Sequence, residues 1–452
     1  MKVLVLGYNP PPYQAGSKLE AANYRTWQFV QPLLEDGQHV TLCVDARSPQ
    51  PDAGLLPANL TWQAIPVDTV GWMARLQAVH DDVAPDCIVA VDFYPALWST
   101  RIRTASPIWM DFYGDPLTIS QVARYRAGSD QGIGTAISLM RYPLRRGDVF
   151  SVCGESQRHM LVGELAMCGR LNSRTLGYDF VRVVGPGAPP VAPIGELKAT
   201  QLVGMGIPPD AFVVLWCGGY NTWTDVDTLF AGLSSAMAQN TNVHFLSVGA
   251  STYQAPTTAY DRFAASAERS PFCSRFHLVG WRPWQEIPAF YLVSDVGINI
   301  DALHYETLYG TRTRLVEMLA YGLPVVTSTG CDLSLRISEK GVGVVFPSGS
   351  GEDLARALLD LSANPGGLAA MRQAARNIVA GDWSFRSTTE SLRAWVTTPV
   401  VAPDRRRGQT TSAVVRVRYA LRTQARLLLW RLGLSGRRGS EPRRMLDAGK
   451  HA

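Results

Sequence analysis

The sequence is poor in charge and has no long apolar run. Charged residues make up 18% of its 452 residues and hydrophobic residues 46%, enough for ordinary buried cores. No stretch approaches the roughly 18 consecutive apolar residues of a spanning helix, so none is expected. The opening M-K-V-L-V-L-G-Y-N-P is too short in its apolar part for a signal peptide and reads as a first strand. Cysteine is sparse. Cys43, Cys87, Cys153, Cys168, Cys217, Cys273 and Cys331 are scattered without a Cys-x-x-Cys, and several sit in apolar strands. That suits reduced core thiols in a cytoplasm and argues against disulfides or zinc. The first strand is not followed by Gly-x-Gly-x-x-Gly, which argues against a dinucleotide cofactor. The main body lacks the aromatic-basic spacing of nucleic-acid modules, so no nucleic-acid partner is expected.

Charge is unevenly placed. The net charge is +5, yet from Asp404 onward thirteen Lys and Arg stand against three Asp and Glu. The body is mildly acidic and the tail strongly basic, which points to an anionic surface. Residues 411–434 fit an amphipathic helix. Val414, Val417, Leu421, Ala425, Leu428 and Leu432 share one arc, while Arg416, Arg422, Arg426 and Arg431 lie outside it and Arg418 at its margin. With Trp430, this reads as a helix lying in an anionic membrane interface. The other reading is a helix packed on the body or on a partner.

Strand and helix patterns alternate twice, separated by a proline-rich segment. Apolar strands are expected at 2–7, 39–44, 86–91, 107–110, 147–153 and 181–184, then at 212–216, 243–248, 276–278, 296–300, 325–326 and 343–346. Length predicts about two to three domains. The expected architecture is α/β: two Rossmann-like, doubly wound domains facing across a cleft, with a basic helical extension. The boundaries read as 1–187 and 201–385, with a linker at 188–200, a terminal helix within 386–403 and a tail at 404–452.

Ligands bind at the carboxyl edge of such sheets. At that edge of the first domain lie the loop with Gly16 and Ser17, and two acidic-aromatic loops headed by Asp92 and Asp111. For both aspartates, turn formation or helix capping is an equally good reading. In the second domain the stretch from Asp301 to Thr329 is the most telling. A strand runs into a polar loop with Asp301, His304 and Glu306, and Gly310-Thr311 then opens a helix. Unpaired N–H groups at that helix start make an anion site, with Arg312 and Arg314 as forked donors suited to phosphate. Glu317 lies in its second turn, within reach of a sugar hydroxyl. A capped core helix with two surface arginines is the plainer reading. Asp225-Val226-Asp227 is a D-x-D, but it opens a helix and capping explains it; no metal is expected.

These residues resemble the GT-B nucleotide-sugar glycosyltransferases, specifically glycosyltransferase family 4. The resemblance covers roughly residues 1 to 400. It rests on Val279-Gly280-Trp281-Arg282-Pro283, on Glu306-Thr307 through Gly310-Thr311-Arg312-Thr313-Arg314, and on Glu317 followed by Ala320-Tyr321-Gly322-Leu323-Pro324-Val325-Val326. Glu155-Ser156-Gln157-Arg158 is similar to a bacterial surface-polysaccharide subgroup. The resemblance implies sugar transfer, with retention, from a nucleotide-diphosphate donor to an acceptor hydroxyl on a glycan or lipid-linked precursor. It implies a terminal helix returning toward the first domain, no cofactor, and a location in the cytoplasm or on the inner membrane face. Gly310, Thr311, Arg312 and Thr313 would meet the diphosphate, Glu317 the ribose, and Trp281 and Arg282 the base. Gly218 and Gly219 would let phosphate approach the backbone, with Asn221 beside them. Gly16, Ser17 and Asp92 would lie on the acceptor side, and Asp111 would orient the sugar or handle the proton.

Two departures from the family pattern stand out. The family has two glutamates separated by seven residues; counting back from Glu317, the first position is Tyr309, and Glu306 is the expected substitute. After the strand at 212–216 the usual Arg and Lys are missing, so Arg312 and Arg314 are expected to supply that charge. A same-fold epimerase or phosphorylase, and a non-enzymatic protein that binds anionic surfaces through its tail, are the rival readings.

Overall fold

The computed structural model describes residues 1–13, 20–189, 191, 202–253, 255 and 257–405. Gly16, Ser17, most of the linker and the 411–434 segment lie outside the described residues.

The first domain is a seven-stranded, all-parallel sheet. Its strands are β1 (Lys2–Leu6), β2 (His39–Asp45), β3 (Leu60–Ile65), β4 (Cys87–Val91), β5 (Ile108–Phe112), β6 (Val149–Val152) and β7 (Val181–Val183), in the order β3-β2-β1-β4-β5-β6-β7. The second domain has six parallel strands: β8 (Phe212–Cys217), β9 (Val243–Val248), β10 (Phe276–Gly280), β11 (Val296–Asn299), β12 (Val325–Ser328) and β13 (Gly343–Phe346). Their order is β10-β9-β8-β11-β12-β13. Each order reverses beside the domain's first strand, between β1 and β4 and between β8 and β11. Loops leaving neighbouring strands there diverge to opposite faces and open a crevice.

The strand sequences explain the layering. In β1, Val3 and Val5 pack into one apolar cluster while Leu4 and Leu6 pack into another. In β8, Val213, Leu215 and Cys217 face one core while Phe212, Val214 and Trp216 face the other. Side chains alternate across a strand, so a continuous apolar run marks a sheet covered on both faces. β3 was not expected. It is an edge strand whose Thr61 and Gln63 break up the apolar signal.

The chain crosses between domains twice. Ala188 N–H donates to Trp383 O at 3.0 Å, and Phe385 N–H donates back to Ala188 O at 3.0 Å. The helix Glu390–Thr397 then joins the first domain's core through Leu392 and Val396, with Trp395 edge-on to Trp109 at 5.5 Å. Arg393 Nε holds Asp36 at 2.6 Å, and Arg170 Nε holds Asp404 at 2.6 Å. The terminal segment thereby ties the second domain back to the first. Among the described residues no helix is long and apolar enough to cross a membrane.

Candidate active site

The carboxyl end of β8 runs into Gly218 and Gly219. Gly218 has φ +113°, a left-handed conformation that disfavours a side chain. A Cβ on Gly219 would strike Thr252, so this turn packs against the loop after β9. Beneath it lies Arg314. Its Nη2 donates to Gly219 O at 3.1 Å, and its guanidinium sits 4.7 Å from the Trp216 ring centroid. Its Nη1 is buried and has no hydrogen-bond partner. Burial lowers the Arg314 pKa, and the nearby Arg312 charge adds to that while Asp301 opposes it. An anion beside Nη1 would satisfy both the donor and the charge.

Arg312 has a different office. Its Nε donates to Asp301 Oδ2 at 2.8 Å, and Nη1 and Nη2 donate to Glu306 at 3.1 and 2.8 Å. The guanidinium is only 6% exposed and lies 5.3 Å from the Trp223 ring. Burial pulls its pKa down, but Asp301 and Glu306 more than reverse this, so Arg312 keeps its charge. The expectation that Arg312 supplies charge to a diphosphate does not fit: its donors are occupied. Nor is Glu306 presented to a donor sugar: it is buried, with each oxygen accepting from the fork of Arg312.

The helix expected to open at Gly310-Thr311 begins at Thr313, and the expected polar loop before it holds a short helix of its own. A short helix, Tyr305–Tyr309, ends at Gly310; the chain turns through Thr311 and Arg312; a second helix spans Thr313–Ala320. A Cβ on Gly310 would crowd Glu306 O, at 2.5 Å. The anion-attracting helix start therefore lies at Thr313, not at Gly310. Thr311 Oγ is buried without a partner. Thr313 Oγ bonds to the Tyr113 hydroxyl, which comes from the first domain. Glu317 lies one turn on, beside Tyr291 and Arg314. Burial raises its pKa to about 7, against the opposing pull of both neighbours. Trp281 and Arg282 are exposed, and the Trp281 ring stands 3.4 Å from where a Gly219 Cβ would be. Asn221 is buried and accepts from Thr252 Oγ. Asp225 caps its helix, accepting from Thr228 N–H at 3.1 Å and Thr228 Oγ at 2.7 Å.

Across the cleft, Asp111 is closed off. Arg25 donates to it twice, Nη2 to Oδ1 at 2.7 Å and Nε to Oδ2 at 3.0 Å, with both side chains fully buried. Ser151 Oγ donates to Oδ1 at 2.5 Å. Asp111 is fully buried behind these bonds, so a substrate does not reach it and the proton-handling role does not fit it. Asp92 differs. It ends β4 at the switch point with φ +76°, strained for a residue with a side chain. It accepts from Phe93 N–H at 2.7 Å and from the Tyr8 hydroxyl. Burial raises its pKa to about 7; the Phe93 N–H opposes this and the Asp111 charge assists it. Tyr8 and Tyr24 escaped the sequence reading. Tyr8 had one available signal, its place just beyond β1. Tyr24 had none; its buried hydroxyl has no partner and lies within electrostatic reach of Glu317.

The domains also meet at Ser156, whose N–H and Oγ donate to Asp332 at 2.8 and 2.6 Å. The domains thus meet beside the start of the helix Thr313–Ala320, through Tyr113, and again at Ser156 and Asp332.

Two parallel, doubly wound domains facing across a cleft, closed by a terminal helix that returns to the first, make this a GT-B fold. Residues 211–364, from β8 through the helix Gly351–Ala363, match the family model for glycosyl transferases group 1. Sucrose-phosphate synthase from Thermosynechococcus elongatus is similar, with TM-score 0.67 and 18% identity over 88% of this chain and 98% of that one. Anabaena HepE in complex with UDP-glucose gives 0.62 and 15%, over 88% and 99%. WaaG, a glycosyltransferase involved in lipopolysaccharide biosynthesis, gives 0.61 and 16%, over 88% and 100%. At these identities the likeness is one of fold. No curated protein matches the sequence significantly.

Proposed function

We propose that the chain is a retaining, family 4 type glycosyltransferase that moves a sugar from a nucleotide diphosphate to an acceptor hydroxyl. The observation that carries this reading is the buried, unpartnered Nη1 of Arg314, set between the Gly218–Gly219 turn and the start of the helix Thr313–Ala320. A pyrophosphate there meets a cation, free N–H groups and the positive end of a helix dipole. The group 1 match over that domain supports a sugar nucleotide as the ligand, and the complex of HepE with UDP-glucose supports it by likeness of fold.

The chemistry follows from charge. As the anomeric C–O bond breaks, negative charge grows on the leaving phosphate and positive charge on the sugar. Fixed donors at the phosphate stabilise that change without reorganising. Retention places the acceptor hydroxyl on the leaving group's face, where the departing phosphate oxygen takes its proton. Asp92, when ionised, orients that hydroxyl, and the Tyr113–Thr313 contact holds the domains at reacting distance. Trp281 stacks the base. Glu317, backed by Arg314 and Tyr291, receives the ribose. The basic tail supports an acceptor at an anionic membrane surface on the cytoplasmic side.

Incubation with a panel of radiolabelled UDP-, GDP- and ADP-sugars and membrane lipid extract tests this. The expected product is labelled glycoside with the anomeric configuration of the donor. Isomerised donor or sugar phosphate as the sole product would assign an epimerase or a phosphorylase instead.

A further inference from the structure

A cavity of about 490 Å³ opens between the helix Pro116–Ala127 of the first domain and the segment 302–309 of the second. Its walls are largely apolar: Val122 and Tyr125 on one side, Leu303, Tyr305 and Leu308 on the other. Tyr125 is 82% exposed, Leu303 58% and Tyr305 56%. Single exposed apolar side chains are ordinary, but several around one concave mouth mark a binding surface. The volume falls within the roughly 300–1,000 Å³ of small-molecule pockets.

Position gives the occupant. The second-domain wall is built on the same segment that locks Arg312: Glu306 holds its guanidinium from the short helix whose Tyr305 and Leu308 face the cavity. Tyr305 stacks on Tyr309 with rings 6.1 Å apart and nearly parallel, which fixes the wall. Thr222, three residues beyond Gly219, also lines the cavity, so it runs directly on from the proposed donor turn. Thr222 Oγ and His304 Nδ1, both in lining residues, are shielded and have no hydrogen-bond partner. Both domains contribute walls, so the cavity exists only with the cleft assembled. A ligand that fills it is held where it also meets the donor. The donor's sugar and diphosphate are polar and gain nothing from these walls, and its base is already assigned to Trp281.

We propose that this cavity takes the aliphatic part of an amphiphilic acceptor, whose hydroxyl end reaches the donor sugar. The inference rests on the transferase reading and sharpens it: the acceptor is an alkyl- or isoprenyl-bearing molecule, not a free sugar. Aliphatic burial contributes about fourfold in affinity per methylene.

Titration calorimetry of the full chain with methyl, hexyl and octyl β-D-glucopyranosides, below their micellar concentrations, tests it, with UDP, GDP and ADP titrated in parallel. Octyl glucoside is expected to bind saturably and at least tenfold more tightly than methyl glucoside. The exposed pair Leu303→Ser with Tyr305→Ser is expected to lose about tenfold for octyl glucoside while nucleotide binding is unchanged. Equal binding of methyl and octyl glucosides, or no effect of the pair, overturns the proposal while leaving the donor site standing. A dimer that the pair dissociates would assign the mouth to a second copy and likewise overturn it. If no nucleotide binds the wild-type protein, the transferase reading itself fails.

Discussion

Arg312 Nη2 donates to Glu306 Oε2 at 2.8 Å inside the second domain, and this pairing decides which arginine is left for a ligand. Removing Arg312 strands two buried carboxylates, Asp301 and Glu306, and such losses cost about 3–5 kcal/mol. Arg312→Ala is therefore expected to lower the urea midpoint sharply. Arg314→Ala is expected to leave the fold largely intact and weaken nucleotide diphosphate binding by about 10- to 100-fold, the worth of a charge-assisted hydrogen bond. Calorimetry and urea melts on both variants check the division. Two variants that bind nucleotide like wild type would refute the phosphate role.

The same logic applies to Asp111. With both oxygens engaged by Arg25 and Ser151, its loss is a loss of stability. Asp111→Asn leaves the Arg25 charge without its counterion and is expected to cost about 3–5 kcal/mol by denaturant melting. At a temperature where the variant stays folded, its kcat is expected within tenfold of wild type. An inactive but fully stable variant would return Asp111 to the chemistry.

Asp92 carries the pH dependence. Its pKa, raised to about 7 by burial, means that the native protein holds a proton there which the unfolded chain, with its ordinary carboxylate, releases near pH 4. Stability contributed by this group therefore falls as pH rises from about 4 through about 7. Activity runs the other way, because only the ionised form orients the acceptor. kcat/KM is expected to rise with pH through about 7, and Asp92→Asn to flatten that limb while lowering the rate. Glu317 is also raised to about 7, so the difference between wild type and Asp92→Asn is the informative profile. An unchanged limb in the variant would remove Asp92 from the mechanism.

The seam between domains offers a further check. Ser156 donates twice to Asp332, and a Cβ on Gly154 would collide with that carboxylate. Asp332→Ala is expected to loosen the cleft, seen as a larger radius of gyration by X-ray scattering and a several-fold lower kcat/KM. An unchanged radius with normal activity would show that the contact does not hold the domains together.

The fold was legible because all-parallel sheets covered on both faces write themselves as unbroken apolar strands, as in Lys2–Leu6 and Phe212–Cys217. The edge strand Leu60–Ile65 was not, since its solvent face mixes Thr61 and Gln63 into the run. At the site, the stretch Asp301–Thr329 holds the expected loop, helix and following strand, but its internal pairing was hidden. Glu306 sits on a short helix, Tyr305–Tyr309, that no periodicity announced, and the turn at Gly310 brings it back to Arg312. Arg25 and Asp111 stand 86 positions apart and meet only once α/β winding brings helix and strand together. Asp92 betrays itself through a backbone angle, which a sequence does not display.

The most direct test is calorimetric titration of UDP, GDP and ADP into the wild-type protein and Arg314→Ala. A pyrophosphate seated at the start of the helix Thr313–Ala320 predicts micromolar-range binding of at least one nucleotide, weakened at least tenfold in the variant. Binding of none of the three, or binding indifferent to Arg314, would contradict the account.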